Sequence, residues 1–175
     1  MSTTVIRRCE PDDWHDVRRL HIKLALGLPL VVDVDLNEVL ATPDDFWQGY
    51  VRACATENEQ ALFVALADGI CLGMGHVRLQ APVARLSMLY VDASRRREGI
   101  ATALVAAQEQ WALGLGISTL WSHIPDLSGA GPLAMALGWH RTDEVFHTRH
   151  RIEERKWTKG ERSESAPDRP SKDPT

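Results

Sequence analysis

The chain has 175 residues, of which 44% are hydrophobic and 25% charged, a composition typical of one globular domain. Its formal net charge of −4 at pH 7 gives no overall positive field for a polyanion, so we expect no nucleic-acid partner. No window approaches the roughly 18 apolar residues of a membrane span, so we expect no membrane partner either. The three cysteines, Cys9, Cys54 and Cys71, lack any CxxC pairing, which favours the reducing cytoplasm.

Short strand-like runs and longer helical periods alternate along the chain, which predicts an α/β fold of the mixed α+β kind. The predicted elements are a strand at 4–9, helices at 12–28 and 43–55, strands at 61–68, 70–80 and 83–92, a helix at 99–116, a strand at 118–124, a short helix near 131–138, and strands around 139–146 and 148–154. The three central strands have short connections, which predict an antiparallel meander. The helix after them returns the chain for a parallel strand, with helices on both faces of the sheet.

Two boundaries follow from local composition. Thr42, followed by Pro43 and a carboxylate, is predicted to cap the second helix. Residues 154–175 are rich in proline, serine and charge, which predicts a disordered tail after a single domain at 1–153.

The stretch VDASRRREGIATAL, Val91 to Leu104, joins the end of a strand to the start of a helix. A helix amino terminus presents about four unpaired backbone N–H groups and positive partial charge, so it attracts phosphate. Gly99 allows close approach of a ligand, and the arginines add forked donors. The stretch predicts a pyrophosphate cradle, although an RRR run alone also fits a solvated basic turn.

Two motifs carry a family resemblance. The hexapeptide from Arg96 to Ala101 resembles the R/Q-x-x-G-x-G/A coenzyme A motif of the GNAT acyltransferases, and Leu137-Gly138-Trp139 resembles their L-G-F. The order of elements over residues 4–152 is similar to the GNAT fold throughout. The resemblance implies an acetyl-CoA cosubstrate and an N-acetyltransferase that acts on the primary amine of a small molecule by direct attack in a ternary complex. Relatives are often homodimers.

The same resemblance implies the residues that contact the coenzyme. Backbone donors at Arg97, Gly99, Ala101 and Thr102 would hold the pyrophosphate, while the backbones of Leu89 and Val91 pair with the pantetheine arm. A backbone N–H near these two residues would polarise the acetyl carbonyl. The full implied set is Leu89, Tyr90, Val91, Arg95, Arg96, Arg97, Glu98, Gly99, Ile100, Ala101 and Thr102, with Arg95 and Arg97 reaching the outer phosphates.

The usual catalytic side chains of the family are replaced in this chain. Ala134 stands where many relatives carry a tyrosine acid, and Arg85 stands where many carry a strand glutamate. His123, near the end of the strand at 118–124, is the best candidate for a base or proton relay, because its pKa lies near neutrality. Ser128 or a water would substitute for the acid. The alternative for a lone histidine is a structural role.

Candidate acceptor contacts come from three places. Asp33 and Asp35, between the first two helices, would suit a cationic amine, although the pattern favours a solvated loop. Trp47 and Tyr50 would wall an acceptor pocket or pack in the core. His76, on a meander strand, is a weaker candidate than His123.

Other assignments are simpler. Trp121 is assigned to the core. His147 and His150 have odd spacing in a predicted strand, which sends them to opposite faces, so we predict no metal site.

Three alternatives to a small-molecule acetyltransferase stay open at this stage. One is a protein or peptide N-acetyltransferase, and another is a catalytically weak sensor that binds acyl-CoA. The third, acetylation of RNA, is disfavoured by the acidic balance of the chain.

Overall fold

The computed structural model describes residues 3–27, 36–125, 128–147 and 153–160. Their helices and strands are, in chain order, β1 (Val5–Arg8), α1 (Trp14–Gly27), α2 (Leu36–Ala41), α3 (Asp44–Thr56), β2 (Gln60–Ala67), β3 (Ile70–Gln80), β4 (Val83–Val91), α4 (Ile100–Gly114), β5 (Leu120–Pro125), α5 (Gly131–Ala136), β6 (His140–His147) and β7 (Glu153–Lys159). None of the helices in these ranges is long and apolar enough to cross a bilayer.

The strands form one sheet in the order β1-β2-β3-β4-β5-β7-β6. Neighbouring strands are antiparallel except for β4 and β5, which are parallel. Asp68 and Gly69, between β2 and β3, have φ angles of 51° and 75°, as a two-residue hairpin turn of this twist requires. The predicted mixed sheet, with a meander and one parallel crossover, is confirmed.

Alternation of side chains places a hydrophobic core on each face of the sheet. On one face the helix α4 packs over the central strands, with Leu104 and Val77 fully buried between them. On the other face α1 and α3 pack through Leu20 and Val51 against Leu62. Helices therefore cover both faces, and the acceptor candidates Trp47 and Tyr50 lie on the α1 and α3 side.

The predicted cap at Thr42 is wrong, because the sequence pattern missed α2. The Thr42 hydroxyl donates to the Glu38 carbonyl at 2.7 Å, so it closes the end of α2. Pro43 occupies the cap position of α3 without a side-chain hydrogen bond, and the helix begins at Asp44. A residue between two helices caps the helix whose unpaired backbone groups its side chain can reach. The sequence pattern of α3 alone does not show that Thr42 reaches the end of α2.

The predicted boundary at residue 153 is also wrong. The last strand, predicted around 148–154, is β7 at Glu153–Lys159, so the first six residues of the predicted tail belong to the sheet. Within it only Trp157 is buried, at 5% exposure, while Glu154 and Lys156 point to the other face and pair there. The strand therefore alternates, although its composition is that of a solvated segment. Residues 161–175 lie outside the described residues.

Candidate active site

A β-bulge interrupts the ladder between β3 and β4. The register shifts between Met74 and His76, and opposite this point Met88 has a φ of 53°. The bulge leaves the His76 carbonyl to be satisfied by α4, where the Gln108 amide donates to it at 2.8 Å. Gln108 is 1% exposed, so this hydrogen bond ties the bulge to the helix inside the core.

The bulge reverses the direction of the β4 backbone groups. Before it, the Ala84 amide donates toward β5; after it, the Asp92 amide donates to Leu72 on β3. Because successive residues of a strand alternate, Leu89 and Val91 direct their backbone groups away from β3. This is the orientation that backbone pairing with a ligand arm requires.

The parallel pair β4 and β5 separates at the same level. The last of its two register pairs joins Arg85 to Trp121. One residue further, the Ser122 hydroxyl donates to the Leu86 carbonyl at 2.9 Å, so a side chain replaces the ladder. From there β5 pairs with β7, and no strand among the described residues pairs with β4 on this side. A cleft therefore opens beside the second half of β4.

The loop after β4 leads into α4 at the place where the sequence predicts the pyrophosphate cradle. Arg97 and Gly99 have positive φ angles of 70° and 80°, and the Ala103 amide donates to the Gly99 carbonyl as the helix begins. The amides of Ile100 to Thr102 precede that bond and have no partner within the helix. An ideal Cβ built at Gly99 would meet no atom within 4 Å. The open, donor-rich helix start fits the pyrophosphate of a coenzyme.

The three arginines have different roles in this loop. Arg95 forms a bidentate ion pair with Glu98, at 2.9 and 2.8 Å, which raises the arginine pKa and lowers that of the carboxyl. Arg96 donates from Nε to the Val91 carbonyl at 3.2 Å and so fixes the loop to the strand end. Arg97 is exposed and forms no ion pair with the described residues, which makes it the arginine available to a phosphate.

Asp92 stabilises the turn from strand to cradle. Its carboxylate binds Lys23 of α1 and accepts hydrogen bonds from the amide and hydroxyl of Ser94. These donors, the lysine first, lower the pKa of Asp92 to about 2. The residue stays ionised at physiological pH and links α1 to the coenzyme loop.

His123 lies on the same face of the sheet as Arg85 and Trp121, which we call the acceptor face. Its ring contacts Phe146 and Trp121, with centroids 4.1 and 4.9 Å away, and its Nδ1 lies 3.6 Å from a Glu154 oxygen. Burial, followed by the charges of Arg85 and a neighbouring lysine, lowers its pKa. Nε2 is shielded and has no hydrogen-bond partner among the described residues. His123 is therefore a neutral imidazole at pH 7 with one nitrogen beside a carboxylate.

His76 is more deeply buried, at 7% exposure. Its Nδ1 lies 3.0 Å from the Ser87 hydroxyl, and Nε2 lies 3.4 Å from the Gln60 amide oxygen. Burial, with smaller contributions from nearby positive charges, lowers its pKa to about 4. So weak a base is poorly suited to deprotonating an amine.

The remaining acceptor candidates divide between core and site. Trp47 is 3% exposed and packs edge-on against His21, at 5.1 Å between ring centroids, as a core residue does. Tyr50 lies 5.9 Å from the ring of His76, at the margin of the acceptor face. Asp33 and Asp35 fall outside the described residues.

Ser128 and Ala134 define the start and body of α5. The Ser128 hydroxyl donates to the Pro125 carbonyl at 2.7 Å and accepts from the Ala130 amide at 3.2 Å. Both of its hydrogen-bonding roles are thus used within the turn. Ala134 is 6% exposed and packs in the α4-side core, without a group that transfers a proton.

The cysteines supply no nucleophile to this site. All three are unpaired and buried. Burial is the largest cause that raises their pKa, to about 12 at Cys9 and about 11 at Cys54 and Cys71. Their thiols are protonated at neutral pH, which excludes them as acyl-accepting thiolates.

Two residues that shape the site were missed by sequence reasoning or misassigned. Gln108 lies four residues after Leu104 on the apolar stripe of α4, and a polar residue on such a stripe is a detectable signal. Trp121 was assigned to the core, but it lies partly buried on the acceptor face, where its ring meets Arg85. In β5 only Leu120 is buried and the residues after it are half-buried, so burial does not alternate along this strand.

The sequence of this chain is similar to a known family of proteins. Residues 32–139 match the model of the acetyltransferase (GNAT) family. Over 144 residues the chain is 27% identical to aminoglycoside N(6')-acetyltransferase type 1 of Salmonella typhimurium, covering 67% of this chain and 99% of the relative.

Solved structures show the same fold. An acetyltransferase of the GNAT family from Streptococcus pneumoniae superposes with a TM-score of 0.77 at 15% identity, over 90% of this chain and 99% of that one. A putative acetyltransferase from Salmonella typhimurium, solved with its cofactor acetyl-CoA, superposes with a TM-score of 0.75 at 16% identity, over 95% and 99%.

The chain with the divided β4–β5 pair and the open start of α4 is therefore of the acetyltransferase class. The chain belongs to the GNAT family.

Proposed function

We propose that this enzyme transfers the acetyl group of acetyl-CoA to the primary amine of a small molecule by direct attack in a ternary complex. The observation that carries the proposal is the separation of β4 from β5 beside the start of α4, with a neutral histidine on the opposite face. The name of the aminoglycoside-acetylating relative supports a small-molecule acceptor.

The coenzyme would lie along the cleft and end at the cradle. In this proposal the backbones of Leu89 and Val91 pair with the pantetheine arm as an added strand would. The amides from Arg97 to Thr102 hold the pyrophosphate. The proposal assigns no phosphate to Arg95, because Glu98 already occupies its guanidinium.

Acetyl-CoA supplies an acetyl group activated as a thioester. The amine must lose a proton for its nitrogen to bond to the acetyl carbon while the carbon–sulfur bond breaks. His123 is the proposed acceptor of that proton, because its lowered pKa leaves it neutral and Glu154, at 3.6 Å, would stabilise the imidazolium formed. The thiolate leaves without an acid, since a thiol pKa of about 8.5 makes it a good leaving group.

A cytoplasmic location belongs to the same proposal. The buried cysteines are unpaired, as a reducing compartment favours.

Calorimetric titration with acetyl-CoA, followed by an assay of thiol release with a panel of amines, tests the proposed function. We expect micromolar binding, about −8 kcal/mol, that weakens for an analogue without the 3′-phosphate, and thiol release with at least one small amine. Tight binding without release to any amine would instead indicate an acyl-CoA sensor. Absence of binding would refute the proposed site.

A further inference from the structure

We propose that the acceptor amine carries a carboxylate, as an amino acid does, and that Arg85 binds this anionic group. The inference rests on the proposed function and names the substrate class of the same site.

Arg85 is placed where an acceptor would lie. It stands on β4 in the last register pair before the two parallel strands separate. Its guanidinium carbon lies 5.0 Å from the ring centroid of Trp121, and that ring lies 4.9 Å from the ring of His123. The cation, the indole and the proposed base therefore line one continuous surface at the closed end of the cleft.

The guanidinium is only partly satisfied. Nε of Arg85 is shielded from solvent, and within the described ranges the side chain has neither a hydrogen bond nor a carboxylate partner. Three other arginines are engaged: Arg7 with Asp13, Arg19 with Asp16, and Arg8 with backbone carbonyls. Because the guanidinium is already partly desolvated in the folded protein, binding of a ligand carboxylate adds less desolvation cost and forms a charge-assisted hydrogen bond.

The charges on the β3 side of Arg85 favour an anion, while the Glu154 carboxylate, 3.6 Å from Nδ1 of His123, lies on the side where the ammonium group of the acceptor would bind. Arg78 lies directly across from Arg85 in the β3–β4 register and is exposed. On the β7 side, Lys156 already pairs with Glu144 at 3.1 Å. The positive charge of Arg85 helps to lower the pKa of both His76 and His123.

This arrangement disfavours a polycationic acceptor. Each further ammonium group brought close to Arg85 would meet a guanidinium that has no carboxylate partner among the described residues. A zwitterionic amine instead brings its carboxylate to Arg85 and keeps its nitrogen on the side of His123. The chain would then differ in acceptor class from its aminoglycoside-acetylating relative.

Matched acceptors test the inference. For several side chains, the amino acid, its amide and the decarboxylated amine are compared by thiol release, with kanamycin as the polycation. We expect kcat/KM to be at least tenfold higher for the carboxylate member of each series. Higher turnover of the amides, the decarboxylated amines or kanamycin would overturn the inference, as would inertness of every amino acid while acetyl-CoA binds.

Variants separate the role of Arg85 from general effects. Arg85→Gln is expected to raise KM for the amino acid at least tenfold with little change in kcat, and Arg85→Lys to fall between. Arg52→Gln, at an exposed position of α3, is the charge-matched control and should match the parent enzyme.

A binding measurement removes the dependence on turnover. Calorimetry with N-acetyl amino acid products should show affinity that falls at least tenfold in Arg85→Gln, while acetyl-CoA affinity stays within twofold. Unchanged product affinity in that variant, or in Arg85→Lys if the glutamine variant does not fold, would refute the role of Arg85. If the parent enzyme shows no detectable binding of acetyl-CoA, the proposed function is refuted instead.

Discussion

Replacement of His76 by glutamine should flatten the dependence of stability on pH. The imidazole has a pKa of about 4 in the folded protein against 6.5 as its ordinary value, so the unfolded chain binds its proton more tightly. Stability from the neutral ring is therefore present above pH 6.5 and is lost as the pH falls toward 4. Between pH 7 and pH 5 this single group costs about 2 kcal/mol of unfolding free energy.

Urea unfolding followed by tryptophan fluorescence, at pH 7 and pH 5, measures this difference. The parent protein should lose more unfolding free energy than His76→Gln between the two values, by about 2 kcal/mol. His15→Gln, at an exposed position of α1, serves as the control. An equal loss in His76→Gln and the parent would mean that the ring is not buried in its neutral form.

Three further changes probe the site. Gly99→Glu should abolish acetyl-CoA binding in calorimetry. Gly99→Ala, which strains a φ of 80° by about 1 kcal/mol, should only weaken it. Equal affinity in both variants would show that the pyrophosphate binds elsewhere. His123→Ala should lose activity at pH 7 and recover most of it near pH 10, where the amine is free; an equal loss at both values would argue against a base. Gln108→Leu leaves the His76 carbonyl without its hydrogen bond, so it should lower the free energy of unfolding by about 1–3 kcal/mol in denaturant titration and weaken acetyl-CoA binding. If stability and affinity are both unchanged, Gln108 has no role at the bulge.

Prediction from sequence succeeds where the signal is local. The meander was predicted because the Asp68-Gly69 turn and the alternation beside it lie within a few residues of one another. The strand end, the glycine and the helix start of the predicted cradle are also contiguous in sequence, and the structure has these elements in that order. The last strand is predicted too early in the chain, around 148–154, because only Trp157 marks the buried face of β7 and the charged residues of β7 have partners on other strands.

The acceptor face required the structure. Arg85, Trp121 and His123 meet only because the parallel pairing of β4 with β5 sets their register. That register depends on a crossover through α4, which no short window encodes. The Gln108 bond to β3 is likewise invisible in the sequence, although a polar side chain on an apolar stripe marks the position.

The bulge at Met88 makes the coenzyme cleft depend on chain length as well as on side-chain identity. Deleting one residue there would restore an uninterrupted alternation, and the amides of Leu89 and Val91 would turn toward β3. The enzyme would then keep every proposed binding residue but lose the backbone groups that face the coenzyme, because the strand is one residue shorter. A one-residue deletion at this point of the strand is therefore expected to keep the fold and weaken the binding of the coenzyme.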